Sequence, residues 1–381
     1  RGRFYGVSKG EDLEKAFREI IGQINSETLG TLTATAASGF SSSRTDVGTF
    51  TAGYDPQSFW KGYVMSRLVK TDGTTVANPA WGGKNTSEKL DALGNVADRL
   101  VLSWGDTWNN IAQAPKGGVP FKWVGGSGNL STEQKAHLGS NSATPVIDNG
   151  ENVLNYVRGE RSLEGTDPDG YTAATPFRER ASRQGDIINS AVWYTGAPVS
   201  NYALKGYSAF TRTFKSRTPM VYVGGNDGML HGFSAADGEE KIAYVPRGVI
   251  PTLKDLALPA FNQAHKYFVD GSPMTGDVDM GTGIQDPDDP SYDPSYIPNW
   301  RTLLVGTLGA GGKGYFVLDA TDPSSFNESN APQLAQLDRT RGNGEATPDC
   351  TAMSGAEKLA CETAEAENKD IGNITAQPVL D

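Results

Sequence analysis

The stretch that decides the fold is Met220–Val245, which reads MVYVGGNDGMLHGFSAADGEEKIAYV. Its apolar segments are rich in the β-branched and aromatic residues that favour strands, namely Met220–Val223, Met229–Ser234 and Lys241–Val245. The turns between them contain Asn226-Asp227-Gly228 and Ala236-Asp237-Gly238, and Asp-Gly supplies the positive φ angles of a tight hairpin. The stretch therefore predicts three consecutive antiparallel strands, a meander.

The rest of the chain repeats this pattern. Further strands are predicted at Phe50–Tyr54, Gly62–Lys70, Ala191–Thr195, Arg301–Val305 and Gly314–Asp319. The phrase that begins at Val221 recurs as Leu304-Val-Gly followed by Tyr315–Asp322. Repeated meanders are typical of a β-propeller, in which each blade is a small sheet packed on its neighbours. The predicted fold class is mainly β: a modified β-propeller built of antiparallel meander blades, with helical and loop insertions, and incomplete within this chain.

The composition is that of an acidic protein with many turns. The 381 residues include 46 Gly and 21 Pro, and the formal net charge is −11. An excess of acid argues against a nucleic-acid-binding surface, which needs clustered Lys and Arg. No apolar run approaches the roughly 18 residues of a transmembrane segment. The chain starts at Arg1 without Met, so we expect a processed chain or a fragment.

The N-terminal residues predict a separate unit. Ser8 and Glu11 have capping-box spacing, and the apolar stripe that follows predicts a helix over 8–26. We assign residues 1–30 to the tail of a preceding domain and residues 31–381 to the propeller. Polar stretches predict long loops or inserts near 72–95, 112–144, 160–184, 280–299 and 324–370.

Two short helices are predicted between blades. Asp148 with Glu151, and Thr252 with Asp255, have the spacing of helix-capping residues. A third helix, over 355–368, is predicted near the C-terminus and would carry Cys361. Because Cys350 lies in the loop before it, a disulfide between the two cysteines would close a short loop, and we favour this bridge over two free thiols.

Enzyme motifs are weak in this chain. Gly309–Gly314 matches a dinucleotide fingerprint, but a strand rather than a helix follows it, so a Gly-rich hairpin is predicted. The histidines His137, His231 and His265 have no second His or Cys at metal-ligand spacing. His231 is interpreted as a packed or edge residue of a strand, and His265 as preceding a strand at Tyr267–Val269.

One acidic loop invites a calcium interpretation because Ca²⁺ prefers carboxylate ligands. The candidate metal ligands in it are Asp286, Asp288, Asp289 and Asp293. Pro287 and Pro290 interrupt the pattern, and no Gly lies at the turn. A solvated acidic loop is the competing interpretation, since charged runs usually face water.

Five phrases follow one another in a fixed order over residues 185–323. They are Gly185–Ser190, Val221–Phe233, Ala243–Pro246, Tyr267–Pro273 and Leu304–Pro323. In this order they resemble the C-terminal propeller of the PilC/PilY family of type IV pilus proteins. Two earlier segments, Asp148–Gly159 and Phe50–Trp60, look like earlier blades of that family. The resemblance extends over residues 30–381 and is strongest in the middle.

The resemblance implies a function at the cell surface. It implies export, a place at the pilus tip or outer membrane, and non-enzymatic roles in pilus assembly, in opposing retraction during twitching motility, and in adhesion or surface sensing. Its implied partners are minor pilins and a host or surface receptor, with no nucleic acid. Residues 1–30 would then be the tail of a von Willebrand A-like domain. A calcium loop, a cofactor site of the family, would fall after Asp381.

The family phrases also mark particular residues as structural. These are Gly185, Asp186, Asn226, Asp227, Gly228, Asp270, Gly271, Gly309, Gly311 and Asp319. We expect contact surface elsewhere, on the segment Trp104–Asn110 and on the loops 160–184 and 280–299, because binding residues commonly lie on loops of a rigid scaffold.

Two other functions compete with this one. Quinoprotein-type dehydrogenases have similar blade phrases with Asp-Gly turns, but they need a calcium-bound quinone and often a pair of adjacent cysteines, which this chain lacks. A propeller that acts purely as a scaffold or lectin is the third hypothesis.

Overall fold

The computed structural model describes most of the chain. The described residues are 31–37, 47–56, 59–70, 74–105, 117–125, 129–140, 146–166, 170–200, 202–283, 288, 290–291, 293–342, 350–369 and 371–378. The helix expected over 8–26, and with it the whole unit 1–30, lies outside these residues.

The first sheet is a four-stranded antiparallel meander. Its strands, in spatial order, are β1 (Thr31–Ala37), β2 (Val47–Asp55), β3 (Lys61–Val69) and β4 (Thr75–Ala77). Strand β3 alternates as a half-buried strand should, with Gly62, Val64 and Ser66 turned inward. The strands predicted at Phe50–Tyr54 and Gly62–Lys70 are confirmed.

The second sheet contains the predicted meander. Its strands are β5 (Val101–Gly105), β6 (Gly117–Pro120), β7 (Trp193–Thr195), β8 (Met220–Gly225), β9 (Met229–Ser234) and β10 (Glu240–Val245), in the spatial order β6-β5-β10-β9-β8-β7. The hairpin turn places Gly228 at φ 91°, as Asp-Gly predicts. Strand β5 pairs parallel with β10, Val101 opposite Ala243. Sequence spacing did not indicate this pair, because its strands are far apart along the chain.

The third sheet contains the predicted second copy of the phrase. It is antiparallel, and its strands in spatial order are β11 (Met274–Asp279), β12 (Trp300–Thr307), β14 (Tyr315–Asp319) and β15 (Ala335–Asp338). Between them, β13 (Gly312–Lys313) pairs with β16 (Arg341–Gly342). Strand β15 belongs to the stretch 324–370, so part of the expected insert completes this sheet.

Helices connect the sheets. They are α1 (Thr86–Asp91), α2 (Thr132–Leu138), α3 (Gly150–Arg158), α4 (Tyr207–Phe214), α5 (Ala331–Leu334), α6 (Gly355–Lys369) and a 3-10 helix over Arg247–Ala257. The prediction that 72–95 and 112–144 are loops is therefore wrong at β4, α1, α2 and β6. The polar composition of these stretches favours loops, but Asn85 and Ser131 each form a capping box that starts a helix.

Three local predictions were wrong in detail. The N-cap of α3 is Asn149, whose side chain accepts from the Asn152 N–H at 3.1 Å, while Asp148 is paired with Lys254. Thr252 lies inside the 3-10 helix rather than capping it. Tyr267–Val269 is not a strand. The Phe268 N–H in that segment donates to the side chain of Asn226 instead of to a neighbouring strand.

Two apolar clusters bind the sheets together. The larger unites the second and third sheets with their helices, through residues such as Leu154, Tyr244, Ile250, Leu304 and Phe316. The smaller joins the first and second sheets; it includes Phe50, Val64, Trp81, Val221 and Phe233. Successive sheets, antiparallel except for the β5–β10 pair, pack on one another and form a modified β-propeller. Within the described ranges, no helix combines the length and apolar character needed to cross a bilayer.

Candidate functional site

The Gly-Asp phrase at 185–186 is bonded to the hairpin turn between β8 and β9. The Gly185 backbone N–H donates to Asp227 Oδ2 at 2.8 Å. Asn226 donates its backbone N–H to the Asp186 carbonyl oxygen at 2.9 Å and its Nδ2 to Asp186 Oδ2 at 2.7 Å. Gly185 also bridges to Lys61 of the first sheet. The turn that closes one hairpin therefore also fixes the segment that connects two sheets.

The phrase Tyr267–Pro273 and His265, which lies just before it, contact the same residues. The Nε2 atom of His265 lies 2.9 Å from Asp186 Oδ1, and the Phe268 N–H donates to Asn226 Oδ1 at 3.0 Å. Asp186 and Asn226 are only 1% and 2% exposed. Leaving a buried polar group of this kind unpaired costs about 1–3 kcal/mol, and more for a charge. These bonds therefore hold three distant segments in one arrangement.

Asp270 lies on the segment that leads into the third sheet, and its side chain bonds this segment to Asn189. Its Oδ1 accepts from the Asn189 N–H at 3.0 Å, and its Oδ2 accepts from Asn189 Nδ2 at 2.6 Å. Next to it, Ser190 Oγ donates to the Gly271 carbonyl oxygen at 2.9 Å and accepts from the Gly224 N–H at 2.8 Å. Burial raises the pKa of the Asp270 carboxyl.

The Gly-rich loop after β12 completes the arrangement. Gly309 has φ 56°, a left-handed conformation that favours glycine. Gly311 packs so closely that a Cβ there would lie 1.9 Å from the Phe268 carbonyl oxygen. The Asp270 N–H donates to the Leu308 carbonyl oxygen at 3.1 Å. The loop is therefore a tight connection between antiparallel strands, as predicted, and it packs against the phrase at 267–273.

Nine of the ten residues marked by the family phrases meet in this region, which we call the blade junction. Its members are Gly185, Asp186, Asn226, Asp227, Gly228, Asp270, Gly271, Gly309 and Gly311. The tenth, Asp319, lies apart at the end of β14, where it pairs with Arg301 at 3.3 Å. The phrases are scattered in sequence because each sheet contributes one piece of the contact.

A buried ionic cluster lies beside the junction on the second sheet. Arg99 donates Nε and Nη2 to the two carboxylate oxygens of Glu240 at 2.7 and 2.9 Å. His231 lies between two acids, with Nδ1 2.8 Å from Glu240 Oε1 and Nε2 3.1 Å from Asp227 Oδ2. The side chains of Arg99, His231 and Glu240 are at most 5% exposed. Charges can be buried in this way because each is paired and hydrogen-bonded.

The protonation states in the ionic cluster follow from this geometry. Burial alone would lower the pKa of His231, but Asp227 and Glu240 outweigh it and raise the pKa to about 9. Burial alone would raise the pKa of Glu240, but Arg99 and His231 lower it to about 2. At neutral pH the cluster therefore holds two cations and two anions. These ion pairs stabilise the pairing of β9 with β10, and they leave no ring nitrogen of His231 free for a substrate.

Sequence reasoning located part of this cluster. Of the two interpretations of His231, the packed residue is confirmed and the edge residue is wrong, since β9 lies between β8 and β10 and His231 is fully buried. His231 and Glu240 stand on neighbouring strands of the predicted meander, so strand pairing could have suggested their contact. Arg99 was missed, and nothing near it in sequence indicates its partner, which is 141 residues away.

The other candidate residues lie elsewhere. Asp288 and Asp293 are exposed, whereas Asp286 and Asp289 lie outside the described residues. Asp293 accepts from the Ser295 N–H and hydroxyl, which lowers the pKa of its carboxyl. No group of three or more His, Cys, Asp or Glu in the described part of the chain is arranged to hold a metal ion. Cys350 forms a disulfide bond with Cys361, which lies in the middle of α6.

The expected contact surfaces are only partly described. Trp104 and Gly105 end strand β5, and residues 106–110 lie outside the described part of the chain. The described residues of 160–184 and 280–299 form neither helix nor strand, in agreement with their prediction as loops. The loop 280–299 connects β11 to β12 and carries Ile297, which is 80% exposed.

Comparison with known proteins gives a consistent result. The family model of the PilY1 β-propeller domain matches residues 184–348. The type IV pilus biogenesis factor PilY1 of Pseudomonas aeruginosa strain PAK is 31% identical over 346 residues, which cover 86% of this chain and 26% of that protein. A PilY1 homolog of Xylella fastidiosa strain Temecula1 is 42% identical over 180 residues, which cover 45% of this chain and 13% of that protein.

A solved structure was also found. The crystal structure of the Pseudomonas aeruginosa PilY1 C-terminal domain shares 36% identity over 35% of this chain and 23% of that chain, with a TM-score of 0.23. The chain spans about a quarter of the length of the Pseudomonas aeruginosa relatives that it matches.

Proposed function

The chain belongs to the PilY1 family, and on that premise we propose that it acts in type IV pilus biogenesis as a rigid propeller scaffold, without catalysing a reaction. The observation that supports a scaffold is the blade junction. Its carboxylates are already bonded within the protein, Asp186 to Asn226 and His265, and Asp227 to His231. A catalytic acid or base must instead be within reach of its substrate.

The finer proposal concerns place and partners. We propose that the protein is exported and is associated with the pilus tip or the outer membrane. There it would support pilus assembly, oppose retraction, and contribute to adhesion or surface sensing through minor pilins and a surface receptor. Exposed apolar side chains on connecting loops, Val199 at 79% and Ile297 at 80% exposure, supply contact surface on the scaffold.

Deletion and complementation in the host test this proposal. Deletion should reduce surface pili, twitching and attachment, and the intact gene should restore them. A gene carrying Asp186→Ala should fail to complement because the scaffold is destabilised. Ile297→Asp should leave the protein at normal abundance and reduce attachment.

Surface pilin and protein abundance should be measured together. Normal piliation, retraction and attachment in the deletion strain would refute the proposed function. A deletion strain that regains pili when retraction is blocked would assign the protein to opposing retraction, whereas one that stays bald would assign it to assembly.

A further inference from the structure

A partly open cleft lies beside the blade junction. Trp60 and Asp227 form part of its wall. Three arginines also line it: Arg178, Arg180 and Arg183. Neither the family phrases nor the ionic cluster explains why three guanidinium groups share this cleft.

Two of these arginines have an unused nitrogen. Arg178 is 5% exposed, and it donates Nε to the Leu256 carbonyl oxygen at 2.9 Å and Nη1 to Asn262 Oδ1 at 3.1 Å. Arg183 donates Nε and Nη1 to main-chain carbonyl oxygens at 2.7–3.3 Å. Within the described residues, neither Nη2 atom has a hydrogen-bond partner and neither guanidinium is paired with a carboxylate. Arg180 differs, since it is paired with Glu164 at 2.7 Å.

The cleft holds further donors without matching acceptors. Ser182 Oγ accepts from the Gln184 N–H at 3.1 Å, which leaves its hydroxyl proton to be donated. Next to the cleft, although not part of its lining, Asn262 accepts from Arg178 through Oδ1, and its buried Nδ2 group has no partner among the described residues. An excess of donors around a solvent-accessible cleft is the arrangement that binds an oxyanion.

The charges of the residues that line the cleft also favour an anionic ligand. Asp227 is the acidic residue of the lining, and its carboxylate already accepts from the Gly185 N–H and faces the protonated His231. The positive charges of Arg178 and Arg183 are left without a paired anion. Burial lowers the pKa of Arg183 and the nearby carboxylate of Asp91 raises it, while Arg161 and Arg180 lower it further because these cations repel one another. A bound anion would relieve that repulsion.

The backbone of the cleft wall is strained. Phe59 and Trp60 have φ 50° and 61°, a left-handed conformation that costs a non-glycine residue roughly 1–2 kcal/mol. The Phe59 carbonyl oxygen accepts from Arg178 Nη1 at 3.4 Å, and the Trp60 ring lies 4.2 Å from the His265 ring, between centroids. Strain of this kind is commonly stored at ligand sites.

We propose that this cleft binds the carboxylate of an acidic side chain from a partner polypeptide, anchored by the unused Nη2 groups of Arg178 and Arg183. Guanidinium groups match carboxylate oxygens in charge and in planar geometry. A singly charged, planar carboxylate suits two single donors in a small cleft better than a tetrahedral phosphate does. The proposal stands on the cleft and does not require the pilus function.

Ligand-observed NMR titration of the purified full chain tests the proposal. The probes are acetate, inorganic phosphate, the peptide acetyl-Ala-Ala-Glu-Ala-Ala-amide and the same peptide with Gln in place of Glu. We expect acetate to bind more tightly than phosphate, and the Glu peptide to bind about tenfold or more tightly than the Gln peptide, because a hydrogen bond to a charged group is lost.

Variants locate the site. Arg183→Lys keeps the charge and removes the Nη2 donor, so it should weaken the Glu peptide about tenfold; Arg178→Lys should do the same. The matched control is Arg301→Lys on the third sheet, which should bind as the wild type does. Circular dichroism checks that each variant is folded, and Arg183 is the safer position because it is more exposed than Arg178.

Three outcomes would overturn the proposal. Equal binding of the Glu and Gln peptides would exclude a carboxylate ligand from a polypeptide. Tighter binding of phosphate than of acetate would replace the carboxylate with a phosphate. Wild-type affinity in both folded arginine variants would place the ligand outside this cleft.

Discussion

The blade junction and the C-terminal segment Cys350–Lys369 are stabilised in opposite ways. In the junction, buried side chains and backbone groups bond to partners about 40 to 80 residues away, as Asn226 does to Asp186 and Asn189 to Asp270. In the C-terminal segment, a disulfide joins cysteines separated by 11 positions, and α6 leaves Leu359 67% exposed. Polar contacts between distant segments therefore stabilise the region where sheets meet, whereas a disulfide between nearby cysteines stabilises a segment that buries little apolar surface.

The largest effect is expected from Asp186→Ala. It leaves His265 Nε2 and the buried Asn226 Nδ2 without their shared partner, and a buried polar group left unpaired costs about 1–3 kcal/mol, so the two losses together make this the largest expected effect. Urea unfolding should show this loss in the free energy of unfolding. The matched control is Asp293→Asn on an exposed loop, where a change within about 0.5 kcal/mol is expected. Equal losses in the two variants would remove the distinction between junction and loop.

The next effect concerns pH and the ionic cluster. The pKa of His231 is raised from an ordinary 6.5 to about 9, so its contribution to stability is complete below pH 6.5 and is lost as pH rises through 9. The pKa of Glu240 is lowered from 4.5 to about 2, so its contribution is complete above pH 4.5 and is lost as pH falls through 2. The cluster therefore stabilises the fold most between pH 4.5 and 6.5.

Urea unfolding at pH 6 and pH 10 measures the stability that is lost when His231 releases its proton. The wild type should lose on the order of 3 kcal/mol more than His231→Gln between these values, because the variant has no proton to release. An exposed histidine provides the control, and His137→Gln should keep the wild-type dependence. The same pH dependence in His231→Gln and in the wild type would show that the cluster does not titrate in this way.

A smaller effect is expected from Gly311→Ala. The new Cβ would meet the Phe268 carbonyl oxygen, and overpacking of this kind typically costs 1–3 kcal/mol. Gly94→Ala is the control, since nothing lies within 4 Å of a Cβ at that position. Thermal unfolding should separate the two variants by several degrees. Identical melting temperatures would mean that the Gly-rich loop can move away from the junction.

The smallest effect on global stability is expected from Cys350→Ser. Loss of the disulfide removes about 2–3 kcal/mol by the loop-entropy estimate, but only from the segment that it closes. Hydrogen exchange should accelerate in α6 and stay unchanged in β8 and β9. A comparable loss of protection in those strands would show that the C-terminal segment and the junction unfold as one unit.

Local sequence patterns predicted eight of the sixteen described strands but few of their partners. Met220–Val245 carries its own turns, so its meander could be read directly from the residues. Strand β11, with the polar sequence MTGDVD, has no apolar run to mark it and was missed. The helices α1 and α2 were missed for a similar reason, since their caps lie in stretches whose overall composition favours loops.

The sequence alone determined the fold class and the order of the family phrases, because strand propensity, turn chemistry and motif order are properties of short segments. The tertiary structure decided that Gly185, Asn226 and Asp270 belong to one junction and that Arg99 pairs with Glu240. It also decided which guanidinium nitrogens remain unused in the cleft. Those facts depend on burial and on contacts between distant segments, so they arise only when the sheets pack against one another.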